Sequence, residues 1–174
     1  MIENLLEQKK AAIIKKWFDL TINTYSADAS QFIKKQQDPF ANPVGSTISL
    51  SLAAVFDALL KGMDRKTIAS SIDPIVRIRA VQNFSPAQAI GFVFYLKKIV
   101  RENLNKELKQ TQIENELLLF ESKIDELCMI AFDIYVECRE KIYQLKVNTE
   151  RNKIYSAFER AGLITEVPAD RPDL

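Results

Sequence analysis

The feature that most constrains the fold is a long stretch near the C-terminus that contains neither glycine nor proline. It begins after Lys109 and continues to Gly162. Apolar residues recur along it every three or four positions, which is the spacing of one face of an α-helix. They are Ile113, Leu117, Phe120, Ile124, Leu127, Ala131, Ile134, Tyr135, Cys138, Ile142 and Leu145. The stretch therefore predicts a long C-terminal helix, which either bends near Val147 and Asn148 or projects with its C-terminal half, since more than 40 helical residues would exceed about 60 Å.

Helix starts recur in the part of the chain that precedes this stretch. Ser85 followed by Pro86 is a cap with a first-turn proline, and Gln88 lies where it closes a capping box. Apolar spacing from this start predicts one helix that reaches Leu104. Asn42–Pro43 carries the same cap-plus-proline signature.

A further start at Asp73–Pro74 predicts that residues 65–83 form two helical pieces joined near Ile72. The chain has only four glycines and six prolines, and no strand-like alternation of polar and apolar residues. We therefore predict an all-α bundle of six or seven helices. Residues 1–160 are expected to form a single helical domain, and residues 161–174 a frayed tail.

Charge and segment composition limit the partners and the compartment. The 174 residues carry a net charge of +1, which gives no general attraction to nucleic acid or anionic lipid. No apolar run approaches the length of roughly 18 to 20 residues that a membrane span needs. The N-terminus lacks the basic-then-apolar pattern of a secretion signal. We expect a cytoplasmic protein with no membrane span and no nucleic-acid partner.

The absence of histidine argues against an enzyme. A chain without histidine has no His general base, no Ser-His-Asp triad, no His-ligated zinc and no Glu-x-x-His di-iron site. No phosphate-loop motif or CxxC pair occurs. Cys128 and Cys138 lie too far apart along one helix for a disulfide, and we interpret them as buried small hydrophobes. We expect no catalysis, no metal and no cofactor.

Two arginines within an apolar segment are the most unusual electrostatic feature. Arg77 and Arg79 alternate with isoleucine, valine and alanine, and on a helix they point about 200° apart. One of them should therefore face inward or across an interface, where it needs an anion. The alternatives are an internal pair with a carboxylate such as Asp57 or Asp73, a partner's carboxylate, or a bound small anion. The candidate ligand or interface residues are Arg77, Arg79, Gln82 and Tyr95.

The end of the long helix carries a weak heptad pattern. Val147 and Ile154 are seven residues apart, and Phe158 lies beside the same seam. The repeats are too few to establish a coiled coil from the spacing. The candidate dimer or linker-helix residues are Ile142, Leu145, Val147, Ile154 and Phe158.

Three blocks of sequence, in this order, resemble a known family. They are DPFANPVGSTI, RIRAVQNFSPAQAIGFVFYLKK and IDELCMIAFDIYVECREKIYQLKVN. Together they resemble the N-terminal domain of the RsbRD-type RsbT co-antagonist proteins, over roughly residues 1–158. The resemblance implies a globin-like sensor module that binds no haem and pairs as a dimer. Such modules relay a signal through a C-terminal linker helix to a STAS domain in the bacterial stressosome.

The resemblance therefore predicts a non-enzymatic sensory module that forms a homodimer and contacts a protein partner in a signalling complex. This sequence ends at Leu174 with no STAS domain, so phosphorylation and RsbT capture are not carried over. We expect a stand-alone relative or the sensory part of a regulator. The alternative is a carrier of a small hydrophobic ligand or lipid, with an apolar pocket in the bundle. Its lining would be Phe84, Phe92, Phe94 and Tyr95.

Overall fold

The computed structural model describes residues 2–36, 38–82, 84–107 and 111–163, which contain seven helices and no strand. This confirms the prediction of an all-α fold with a long C-terminal helix. The globin-like topology stays an implication of the resemblance. The helices are α1 (Ile2–Ile22), α2 (Ala27–Lys35), α3 (Pro43–Leu60), α4 (Arg65–Val81), α5 (Pro86–Ile90), α6 (Phe92–Asn103) and α7 (Thr111–Arg160).

The described residues divide into two compact units, one up to Cys138 and one from Arg139 onward. The predicted single domain over 1–160 stays a prediction. At the end of α7, Gly162 has φ +66° and Leu163 donates its N–H to the Phe158 carbonyl at 3.0 Å. These features form a Schellman cap. The rest of the predicted tail, residues 164–174, lies outside the described residues.

The caps predicted at Asn42 and Ser85 are confirmed, although two helix boundaries were predicted wrongly. Asn42 caps α3, and Ser85 with Gln88 forms the capping box of α5. The Ser85 helix ends at Ile90, however, and α6 begins after Gly91 rather than continuing it. The predicted break near Ile72 is also wrong, because α4 runs unbroken through Pro74.

The continuity of α4 has a packing explanation. The helix buries Ile68, Ile72 and Ile75 on one side. A proline inside a helix costs about 3 kcal/mol, whereas burying one isoleucine contributes roughly 1.5–3 kcal/mol. The apolar contacts on both sides of Pro74 therefore outweigh the proline.

The core of the first unit forms where α1 packs against α3 and α6, and where α3 packs against α4. Trp17 lies at its centre, fully buried, and its indole N–H donates to the Phe92 carbonyl at 2.7 Å. Phe56 and Phe120 bring α3 and α7 together in an edge-to-face contact. Cys128 and Cys138 are buried thiols, as expected for small hydrophobes.

Helix α3 is the one helix in the described ranges that is long and apolar enough to cross a membrane, judged by length and composition. Core helices of water-soluble proteins meet the same criterion. Here α3 buries Ile48, Leu52 and Phe56 among the other helices. The prediction that the chain has no membrane span stays a prediction.

One buried amide joins α2 to α3. The Asn42 side chain donates from Nδ2 to the carbonyls of Ile33 at 2.8 Å and Gln36 at 2.9 Å. Its Oδ1 accepts the Gly45 N–H at 2.9 Å. A Cβ added at Gly45 would collide with this amide, so the cap requires glycine at that position. Asn42 thus provides hydrogen-bond partners for backbone carbonyls at the end of α2 and for a backbone N–H at the start of α3.

We expect Asn42→Ala to lower the free energy of unfolding by roughly 2–3 kcal/mol, because it removes a cap and leaves buried groups unpaired. Urea unfolding followed by circular dichroism measures this change. The control is Asn152→Ala, at an exposed position of α7, which should change stability by less than about 0.5 kcal/mol. Equal losses in the two variants would contradict the role of Asn42.

Candidate functional site

The last turn of α4 buries a charged side chain. Arg79 is 0% exposed, and its guanidinium lies among three aromatic rings. The guanidinium carbon is 4.4 Å from the ring centre of Phe84, 5.2 Å from that of Tyr25 and 5.3 Å from that of Phe92. Such short separations are typical of cation–π contacts. The core of the first unit therefore encloses a positive charge in an aromatic cage.

Only one of the guanidinium nitrogens is hydrogen-bonded. Arg79 Nη2 donates to Thr24 Oγ1 at 2.6 Å and to the Gln88 carbonyl at 3.0 Å. Nε and Nη1 are buried and have no hydrogen-bond partner among the described residues. Within the same ranges, no carboxylate pairs with Arg79. The charge is thus held by aromatic faces and two neutral acceptors.

The free-energy gains and costs of burying this cation are of similar size, and its hydrogen bonding within the described residues is incomplete. Taking an ion out of water costs several kcal/mol. A desolvated cation–π contact returns about 2 kcal/mol, and a hydrogen bond from a charged group about 1.5–3 kcal/mol. Against these gains, each buried donor without a partner costs roughly 1–3 kcal/mol. Nε carries one N–H group and Nη1 carries two. The cage therefore encloses a cation with three N–H groups that lack an acceptor among the residues described.

A second buried polar group lies next to this cation. The Tyr25 hydroxyl has no partner at good hydrogen-bond geometry among the described residues, and it interacts with Arg79 through charge and a weak side-chain hydrogen bond. Burial lowers the pKa of Arg79 and raises the pKa of Tyr25. A raised pKa keeps the proton on the Tyr25 hydroxyl, and an arginine guanidinium stays charged inside proteins. The pair presents O–H and N–H donors and no negative charge.

Tyr25 also borders a small cavity. The cavity has a volume of about 200 Å³ and lies against α2, beside the ends of α1 and α4 and the start of α3. Its walls are mainly apolar, and they consist of Tyr25, Ala29, Phe32, Ile33, Asn42, Pro43, Val44 and Gln82. One tyrosine therefore contacts both the buried guanidinium and an apolar space.

The structure separates the two arginines that the sequence paired. Arg77 is exposed, and its Nε donates to Asp73 at 2.5 Å on the helix surface. The Asp73 carboxylate raises the pKa of Arg77. Asp57, the other carboxylate considered, pairs with Lys10. A carboxylate pair therefore exists for the outward arginine and not, within the described residues, for the inward one.

The remaining candidates take different places around Arg79. Tyr95, on α6, is half-buried and interacts with Arg79 electrostatically. Gln82 ends α4 and lines the cavity beside Tyr25. The proposed aromatic lining of a carrier pocket does not form one enclosed wall, because Phe92 is buried whereas Phe94 is 51% exposed.

A hydrogen bond links the cage to α7. The Tyr135 hydroxyl donates to the Phe84 carbonyl at 2.6 Å, and the Phe84 ring is the aromatic face nearest to Arg79. Tyr135 lies on α7, and its ring is buried in the first unit. The guanidinium and the long helix are thus joined through one residue.

The second unit presents the predicted linker-helix residues to solvent. Ile142 is partly buried. Leu145, Val147, Ile154 and Phe158 are between 47% and 68% exposed. Tyr143 lies one turn before Val147, and its hydroxyl accepts from Arg139 Nη2 at 2.9 Å.

A family model supplies the classification. The model described as the RsbT co-antagonist protein RsbRD N-terminal domain matches residues 11–147. The chain belongs to this family. The match includes the whole Arg79 cage, the Tyr135 contact and most of α7. Membership of the RsbRD N-terminal family indicates a signalling domain.

One curated relative is also similar. An uncharacterized protein from Archaeoglobus fulgidus is 31% identical over 81 residues, which are 46% of this chain and 50% of that protein. The chain thus spans about half the length of the relative. No solved structure matches the chain.

Sequence reasoning missed Thr24 and Tyr25 in this RsbRD N-terminal domain. Trp17, Thr21 and Tyr25 are spaced four residues apart, so the buried face of α1 points to Tyr25 even though α1 ends before it. That spacing was the available signal. Nothing in the spacing pairs Tyr25 with Arg79, because fifty-four positions separate them.

We expect the cost of replacing Arg79 to depend on side-chain volume more than on charge. Arg79→Ala should lower the free energy of unfolding by roughly 3–5 kcal/mol through the lost packing. Arg79→Met fills the cage and removes the incompletely satisfied cation, so its cost should be below about 1.5 kcal/mol. Urea unfolding of both variants tests this.

Arg77→Met is the matched control, since Arg77 lies on the surface of the same helix and should change stability by less than about 1 kcal/mol. If Arg79→Met proves as destabilising as Arg79→Ala, the cation itself stabilises the core.

Proposed function

We propose that this chain is a non-enzymatic sensory module that dimerises through its C-terminal helix and relays the binding of a ligand or partner at the Arg79 cage. The observation that carries the proposal is the RsbRD N-terminal family match over residues 11–147. The match spans the cage and most of the helix that would transmit the signal. A protein partner in a signalling complex would receive that signal.

The contacts around Arg79 support the relay. A ligand changes a protein's conformation only if it binds two states unequally. The unpartnered donors on Arg79 and Tyr25 provide such a difference, because a ligand that accepts from them stabilises the state in which they are reachable. Phe84 stacks on Arg79 and accepts from Tyr135. A shift of the guanidinium would therefore alter a contact of α7.

The exposed apolar residues of the second unit support the dimer. Tyr143 and Val147 are followed eleven residues later by Ile154 and Phe158, and all four are exposed. An eleven-residue repeat keeps apolar residues on one face of a nearly straight helix. Exposed apolar residues that share a face are typical of a protein interface. A second copy of the same helix would cover them.

We expect the full chain to be a dimer and the double variant Val147→Asp/Ile154→Asp to be a monomer, because charges would then lie in the apolar seam. Light scattering coupled to size exclusion measures the molar mass. The matched control is Thr149→Asp/Ser156→Asp. It adds the same charges two positions further along, about 200° around the helix, and should stay dimeric.

A monomeric wild-type chain would contradict the proposed dimer and the signalling mechanism that depends on it. A dimer that survives in Val147→Asp/Ile154→Asp would place the interface elsewhere on the chain.

The relay is tested by hydrogen exchange. Arg79→Met should change amide exchange in peptides from residues 139–163, whereas Lys66→Met, at an exposed position of the same helix, should not. Tyr135→Phe removes the hydroxyl that bonds the Phe84 carbonyl and should abolish the effect of Arg79→Met in the double variant. Identical exchange in the wild-type chain and Arg79→Met would contradict a relay from the cage.

A further inference from the structure

The Arg79 cage has donors that nothing in the described part of the chain uses. Arg79 is fully buried, and its Nε and Nη1 have no hydrogen-bond partner among the described residues. The neighbouring Tyr25 hydroxyl also lacks a partner at good geometry in those residues. Buried polar groups in folded proteins are nearly always paired. Three unused N–H donors and one O–H donor around a single cation form an incomplete anion site.

We propose that Arg79 and Tyr25 bind the carboxylate of a small organic monoanion whose short apolar part occupies the adjoining cavity. The guanidinium donates from Nε or Nη1, and the Tyr25 hydroxyl donates to the same anion. The existing bonds from Nη2 to Thr24 and to the Gln88 carbonyl hold the guanidinium in place. Binding therefore requires no rotation of Arg79 away from its present acceptors.

The surroundings favour a single negative charge. Three aromatic rings and neutral acceptors surround the guanidinium, and Arg79 supplies the one positive charge of the cage as the structure describes it. A dianion such as phosphate or sulfate would bring an uncompensated charge into a site of low polarity, which is costly. A monocarboxylate neutralises the Arg79 charge and leaves no excess negative charge in the site.

The cavity favours an apolar tail on the ligand. Its volume of about 200 Å³ exceeds what one or two waters occupy, at about 30 Å³ each. Ala29, Ile33 and Val44 contribute apolar walls, and Tyr25 lies both against this space and against the guanidinium. The walls match a short alkyl chain better than a polar group. The predicted ligand class is thus a short-chain carboxylic acid in its ionised form.

This inference rests on the proposed sensory function, because it names the class of molecule that the sensor would bind. The two remain separable in experiment. Anion binding is measured at the cage, whereas dimerisation is measured on the second unit. Failure of binding would leave the dimer intact, and a monomeric chain that still binds carboxylate would remove only the signalling proposal.

The test is calorimetric titration of the full chain with sodium butyrate at constant ionic strength and constant chloride. We expect saturable one-site binding and a concentration-dependent rise of the melting temperature. Butyramide, the neutral analogue of similar shape, should bind at least tenfold more weakly. Acetate should bind more weakly than butyrate, because it leaves the cavity empty.

Variants assign the site. Arg79→Met should weaken butyrate binding at least tenfold and Tyr25→Phe severalfold, while Arg77→Met should match the wild-type chain. A readout that needs no variant is the Nε–H resonance of Arg79 in the wild-type chain, which should shift on adding butyrate and stay unmoved on adding butyramide.

Three results would overturn the proposal. They are the absence of saturable butyrate binding, equal affinity for butyrate and butyramide, and tighter binding of phosphate than of butyrate. Unchanged affinity in a folded Arg79→Met variant would also reject this site.

Discussion

The first unit is arranged around one buried guanidinium that has no carboxylate partner among the described residues. A protein interior tolerates such a charge only where polarisable faces and oriented acceptors surround it closely. Arg79 gathers these from separate parts of the chain. Phe84 and the Gln88 carbonyl flank the joint between α4 and α5, Tyr25 follows α1, and Phe92 begins α6. The relative positions of these helices therefore depend on the space that the Arg79 side chain fills between them.

Helix starts were predictable because their signals are local. The caps at Asn42 and Ser85 satisfy backbone N–H groups one turn ahead, so a few neighbouring residues decide them. The breaks were less predictable because they depend on packing. Pro74 did not stop α4, whose isoleucines are buried on both sides of it. Gly91 separates α5 from α6 although the apolar spacing continues across it.

The candidate site was predictable only in part. Spacing showed that Arg77 and Arg79 point in different directions, but not which one faces the core, since apolar residues flank both. The cage is completed by Tyr25, which follows α1, and by Phe92 of α6. Contacts between residues so far apart in the chain leave no periodic signal in a single sequence. Family membership was recognisable from three blocks of residues, because caps, arginines and aromatics together form a specific pattern.

Asn42 and Gly45 have a consequence for how this domain varies. The Asn42 amide occupies the space that any side chain at position 45 would need, and Oδ1 of the same amide accepts the Gly45 N–H. A substitution at one position alone is therefore costly. A larger residue at 45 would displace the Asn42 amide, and a smaller residue at 42 would leave two carbonyls at the end of α2 without their hydrogen-bond donor. We expect substitutions at the two positions to be epistatic. Homologous domains should therefore either keep both residues or have exchanged both.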